Sequence, residues 1–173
     1  MRKTVRRGRL RRLAAAATAL VAVAAGALGC GGAPRLAEGR VVAVIDGDTI
    51  VVAGVGHVRY LGIDTPELHH PRKPVQRFAR RARAENVRLV AGRTVRMVTD
   101  RERRDRYGRL LAYVYVGPRM VNAELVRLGF ASTLTIRPNT LHARLFARLE
   151  SEARAAHRGE WGDAEGGPPE GVP

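Results

Sequence analysis

Arg59, Asp64 and Glu67 fall within nine consecutive residues, Arg59-Tyr60-Leu61-Gly62-Ile63-Asp64-Thr65-Pro66-Glu67. The first part of this stretch is branched and aromatic, which predicts a short strand. The second part predicts an acidic turn. Pro66 fixes its own φ and drives Thr65 out of the helical region, so the corner is stiff. Two carboxylates on a stiff corner repel each other unless a cation lies between them. A guanidinium meets that need, and so does a hard metal ion. A plain surface turn closed by a salt bridge could use the same nine residues, so this stretch alone does not separate chemistry from structure.

Two further stretches supply matching groups. Asp46-Gly47-Asp48-Thr49 lies upstream and Asp105-Arg106-Tyr107-Gly108-Arg109 lies downstream. An all-oxygen set of carboxylates and a carbonyl suits Ca²⁺ rather than zinc. Two guanidiniums can grip the equatorial oxygens of a phosphodiester under attack, where charge builds up. A carboxylate within reach of water can take its proton. Asp46 has two readings, as an outer support of the site or as the side chain that closes its own turn. Tyr107 also has two, as a donor to phosphate or as packing under the loop. The adjacent His69 and His70 have no third ligand at zinc-site spacing.

The elements that must position these groups can be read in order. Strands are expected over residues 40–45, 49–52 and 57–61, with an acidic turn after the first and a glycine-rich turn after the second. A helix is expected over 75–91, with Phe78, Ala82, Asn86 and Leu89 on one face and Gly92 as its stop. Strands follow over 93–99 and 109–116, then a short helix over 121–128 and an extended segment over 131–136. A last helix is expected to be capped by Asn139 or Thr140, with Leu141, Leu145, Leu149, Ala153 and Ala156 facing inward. Trp161 is expected to fold back onto the body. Three strands, a helix, two strands and then helices describe an α+β, mainly β protein: a five-stranded OB-fold barrel with about three helices.

The 173 residues fit one domain. Lys and Arg number 31 against 16 Asp and Glu, a formal charge of +15. Residues 1–12 hold seven of the basic groups and no acid, so the remainder keeps 31 less 7, or 24, basic groups against 16 acidic, +8. A basic domain attracts polyanions such as nucleic acid or an anionic membrane surface. The single cysteine excludes an intramolecular disulfide and a site of several thiolates.

Residues 1–12 form a basic n-region and 13–28 an apolar run. As a helix the run would span about 24 Å, short of the roughly 30 Å of a bilayer core, so it reads as a secretory signal peptide. Ala27-Leu28-Gly29-Cys30 resembles a bacterial lipobox, with Ala27 where leucine is preferred. Cys30 is thus a candidate lipidation site and the protein a candidate envelope lipoprotein, a secreted protein cut nearby being the alternative. Arg6-Arg7 and Arg11-Arg12 lack the flanks of a twin-arginine signal. The expected organisation is a leader over 1–30, a linker over 31–38, a domain over 39–163 and a disordered tail over 164–173.

In order and spacing, the three stretches resemble the motifs of the staphylococcal nuclease, or thermonuclease, family. The resemblance covers roughly residues 39–161. It implies a calcium-dependent phosphodiesterase that cuts DNA or RNA to 3′-phosphates. It further implies that Asp48, Asp64 and the carbonyl of Thr65 hold the metal. Glu67 would activate or orient the water, and Arg59 and Arg109 would grip the phosphate. No protein partner is implied, and a monomer is expected. One departure stands out. The family's tyrosines before the Pro-Asn turn, which flank the bound nucleotide, are replaced by Ala131-Ser132-Thr133-Leu134-Thr135-Ile136-Arg137-Pro138, with no aromatic. Stacking on an aromatic contributes about 1–3 kcal/mol per base, so affinity or base preference is expected to differ. The rivals are an OB-fold that binds nucleic acid without cutting it, and a basic envelope protein that holds anionic polymers. The presence of Asp48, Arg59, Asp64, Glu67 and Arg109 together favours the enzyme.

Overall fold

The computed structural model describes residues 36–68 and 78–162. The leader, Cys30, the His69-His70 loop, the expected first turn of the helix at 75–77 and the tail lie outside them. The strand β1 (Leu36–Asp46) serves two sides of one barrel. Its first half pairs antiparallel with β5 (Thr94–Val98), from Leu36↔Val98 to Arg40↔Thr94. Its second half pairs with β2 (Thr49–Val52), from Val41↔Val52 to Asp46↔Thr49. Register shifts at Val41/Ala43 and Val44/Asp46 let the strand bend from one partner to the other. β2 continues into β3 (Gly56–Tyr60), and β5 pairs with β6 (Leu110–Val116). A parallel pairing of β3 with β6, Val58↔Leu110 to Tyr60↔Ala112, closes the ring. β1, β2, β3, β5 and β6 therefore form the five-stranded OB-fold barrel, filled by Ile50, Val52, Val58, Val95, Met97 and Val114.

The first strand starts at Leu36, not at Arg40 as the sequence suggested, and takes in part of the expected linker. Its polar residues Glu38 and Arg40 are exposed or only partly buried, while Gly39 lets the strand lie close against the barrel. A Cβ at Gly39 would lie 2.5 Å from Cγ1 of Val52. Alternation with a glycine at the inward position looks like linker in sequence, and only the partner strand makes it β.

α1 (Ala79–Val90) buries Ala79, Ala82, Asn86, Leu89 and Val90, and Phe78, expected within the helix, is buried just before it with φ 77. α2 (Val121–Arg127) packs against α3 (Ala143–Ala155). Two-residue strands complete the structure. β4 (Ile63–Asp64) pairs with β8 (Ser132–Thr133), and β7 (Arg119–Met120) pairs with β6.

The last helix differs from its expected form. It starts at Ala143 after His142 with no side-chain cap, too late for Asn139 or Thr140 to cap it, and the Asn139 amide bonds the Glu102 backbone instead. Leu141 precedes the helix and is exposed, and so is Ala156. Phe146, Leu149 and Ala153 form the buried face. Counting the stripe from Leu141 missed Phe146, the largest side chain of the set. Trp161 does return to the body, with the Arg154 guanidinium 3.6 Å from its ring centroid.

Phe146 also explains Gly62, which joins β3 to β4. Gly62 has φ +76, and a Cβ there would lie 2.5 Å from Cε2 of Phe146. Phe146 is 1% exposed and cannot step aside. Gly62→Ala is expected to lose roughly 2–4 kcal/mol of stability, from strained backbone plus overpacking, in denaturant unfolding. A loss under about 0.5 kcal/mol would show that the corner is not held by this contact.

Candidate active site

The acidic turn between β1 and β2 meets the corner after β4. Oδ2 of Asp48 accepts hydrogen bonds from the Thr65 N–H and the Thr65 hydroxyl, both at 2.9 Å. Oδ1 of Asp48 accepts from the Thr49 hydroxyl at 3.1 Å. The two turns touch so closely that a Cβ at Gly47 would lie 2.7 Å from Oγ1 of Thr65. Gly47 is thus a requirement of contact between the turns. Asp46 closes its own turn by accepting from the Gly47 N–H at 3.1 Å. Its other oxygen accepts from the Leu68 N–H at 3.4 Å, just past Glu67. Of the two readings of Asp46, the closing of its own turn is the one these bonds show.

Arg59, at the end of β3, lies between the two aspartates. Its guanidinium pairs with Oδ1 of Asp64 at 2.6 Å and with Oδ2 of Asp48. Burial pushes the Asp64 carboxyl above its usual range. Arg59 opposes that rise, and the charges of Asp48 and Glu67 add to it. This places Glu67, itself exposed, within electrostatic reach of Asp64. The corner therefore concentrates negative charge around one cationic centre.

The donor set fits a hard cation. It is made only of oxygen, and its two carboxylates already converge on a single positive group. Among the described residues no three carboxylate, imidazole or thiolate groups gather. A cation here would take Asp48, Asp64 and the Thr65 carbonyl from the protein and complete its shell with water.

Arg59 also borders a cleft of about 420 Å³ that Arg109 and Tyr107 share. Arg109 is held by Asp105. Its Nε donates to Oδ2 at 2.7 Å, and its backbone N–H donates to Oδ1 at 3.0 Å. Partial burial would raise the Asp105 carboxyl, but the hydrogen bonds from Arg109 outweigh it and hold the group below its usual range. Tyr107 is 68% exposed. Its hydroxyl accepts from Nη2 of Arg106 at 2.6 Å, and the Arg109 guanidinium lies 5.5 Å from its ring centroid. The phenol stands free of the core at the cleft mouth, so packing under the loop is not its role.

Four contributors were not visible in the sequence. Asp105 belonged to a motif but had no role until its grip on Arg109 was seen. Asn139 ties the Asp105 loop to the segment before α3, donating to the Glu102 carbonyl and accepting from the Glu102 N–H at 2.9 and 2.8 Å. Leu134 and Ile136 line the cleft, 39% and 62% exposed, in the segment that lacks aromatics. The cleft thus joins an aliphatic wall to three guanidiniums, those of Arg59, Arg106 and Arg109. Cys30 lies outside the described residues.

Residues 57–163 match the family model described as staphylococcal nuclease homologue. The chain is 36% identical over 125 residues to a thermonuclease of Staphylococcus hyicus, spanning 70% of this chain and 74% of that protein. It is 37% identical over 121 residues to a thermonuclease of Staphylococcus intermedius, spanning 68% and 72%. It is 40% identical over 122 residues to the endonuclease YncB of Bacillus subtilis (strain 168), spanning 68% of this chain and 58% of that one.

Proposed function

This chain belongs to the staphylococcal nuclease family and is a nuclease; we propose that it is an exported, calcium-dependent enzyme that hydrolyses DNA or RNA to 3′-phosphate products. The observation that carries the proposal is the placement of Arg59. It faces Asp48 and Asp64 on one side and borders, with Arg109, the cleft on the other.

Each residue then has a definite task. Asp48, Asp64 and the Thr65 carbonyl would hold a calcium ion, which would supply positive charge against the phosphodiester. Arg59 and Arg109 bind the non-bridging oxygens and counter the charge that grows on them as water attacks. Glu67 orients that water and takes its proton. The new bond joins the water oxygen to phosphorus, and the bond from phosphorus to the 5′ oxygen breaks. The 5′ oxygen leaves with a proton from solvent, and the phosphate stays on the 3′ side. Leu134 and Ile136 offer a base an aliphatic surface, with Tyr107 as the nearby aromatic.

The test is digestion of plasmid, single-stranded DNA and RNA by purified protein, with Ca²⁺ and with a chelator. Cleavage with Ca²⁺ and none with chelator supports the proposal. Retarded but intact nucleic acid in Ca²⁺ would make the protein a binding module.

Export rests on the leader pattern at residues 1–28 and the lone Cys30. Among the described residues no helix is long and apolar enough to cross a membrane. We propose that acylated Cys30 is the anchor, with more than one chain attached, because a single acyl chain binds a bilayer only marginally. Cys30→Ala is expected to release the protein into the medium or block its processing. An unmodified Cys30 in the mass spectrum of the mature protein would refute the anchor.

A further inference from the structure

The inward face of α1 carries one polar residue, Asn86, among Ala79, Ala82, Leu89 and Val90. Asn86 is 0% exposed. A buried amide without partners costs roughly 1–3 kcal/mol, so its hydrogen bonds show what it is for. Its Nδ2 donates to the Asp46 carbonyl at 3.0 Å, and its Oδ1 accepts from the Tyr60 hydroxyl at 3.0 Å. Tyr60 follows Arg59 on β3, and its backbone N–H donates to the Asp48 carbonyl at 2.9 Å. Tyr60 therefore reaches both ends of the Asp46-Gly47-Asp48 turn, directly at Asp48 and through Asn86 at Asp46. One turn earlier on α1, Arg83 Nε donates to the Val44 carbonyl at 3.1 Å.

This bracing differs in kind from the other bonds of the turn. Thr65, Thr49 and Arg59 hold Asp48 by its carboxylate oxygens, which are the atoms a cation needs. Tyr60 and Asn86 hold only backbone carbonyls and leave those oxygens available. Leucine at position 86 would fill similar space and suit the apolar face better, yet would leave the Asp46 carbonyl and the Tyr60 hydroxyl without partners.

We propose that Tyr60 and Asn86 are positioning residues that fix the Asp46–Asp48 turn so that Asp48 and Asp64 converge on one calcium ion. The proposal rests on the calcium reading of Asp48 and Asp64. A support behind a metal ligand typically alters affinity by a factor of 10–100.

The experiment measures Ca²⁺ binding without substrate, by titration calorimetry, for the parent protein, Tyr60→Phe and Asn86→Leu. Each is studied well below its own melting temperature. Both variants are expected to bind Ca²⁺ about tenfold more weakly and to need about tenfold more of it for half-maximal activity. At saturating Ca²⁺ the KM for DNA should stay within about twofold, since neither residue contacts Arg109. A lower Tm with unchanged Ca²⁺ affinity would make the pair purely structural and overturn the proposal. Absence of Ca²⁺ binding by the parent would instead overturn the calcium reading itself. If Asn86→Leu does not fold, Tyr60→Phe decides, because it keeps the ring and removes only one oxygen.

Discussion

Glu67→Gln is expected to lower kcat by roughly 10²–10⁴, the usual contribution of a general base, or about 2.7–5.5 kcal/mol of transition-state stabilisation. The substitution keeps the shape of the side chain and removes its charge and basicity. Glu67 follows Pro66 on the stiff corner, and its charge is felt at Asp64. It can thus face water held near the cation without being one of the two aspartates that hold it. The KM for DNA should change by no more than a few-fold, because Arg59, Arg109 and the cleft remain. The measurement is single-turnover hydrolysis at saturating Ca²⁺. A rate within about threefold of the parent would mean that Glu67 neither orients nor deprotonates the water.

Arg109→Ala should cost on the order of 10²–10³ in kcat, the typical loss when one preorganised donor to a developing oxyanion is removed. Arg109 has its Nε committed to Asp105 and lines the cleft. It is therefore fixed before substrate arrives and loses little freedom on binding. The substitution also leaves Asp105, mostly buried, without its side-chain partner. Arg109→Lys should recover only part of the rate. An ammonium restores the charge but cannot engage Asp105 and phosphate along one plane. Full recovery by lysine would show that charge alone matters and that the Asp105 clamp is incidental.

These effects separate what local sequence encodes from what the fold adds. The three motifs, their order, the five barrel strands and the polar residue on the buried face of α1 could all be read from residue types. Strand alternation, helical period and turn chemistry are short-range properties. The stiff corner at Pro66 is equally local, whereas the grouping of Asp48 with Asp64 and Glu67 came from the family resemblance.

Tertiary structure decided the matters that depend on which distant segments meet. Leu36–Arg40 resembles a linker, and it is a strand because β5 lies beside it. The register of α3 turned on Phe146 packing under Gly62, a contact between residues on separate elements. Asn139 could cap a helix by local rules, but the Glu102 backbone, 37 residues away, offers it both a donor and an acceptor. Asp105 became the orienting partner of Arg109 through side-chain geometry, not spacing. Arg59 acquired its shared position only when the Asp48 turn and β4 folded to either side of it. Residue type fixes what a group can do, and long-range packing fixes which partner it does it with.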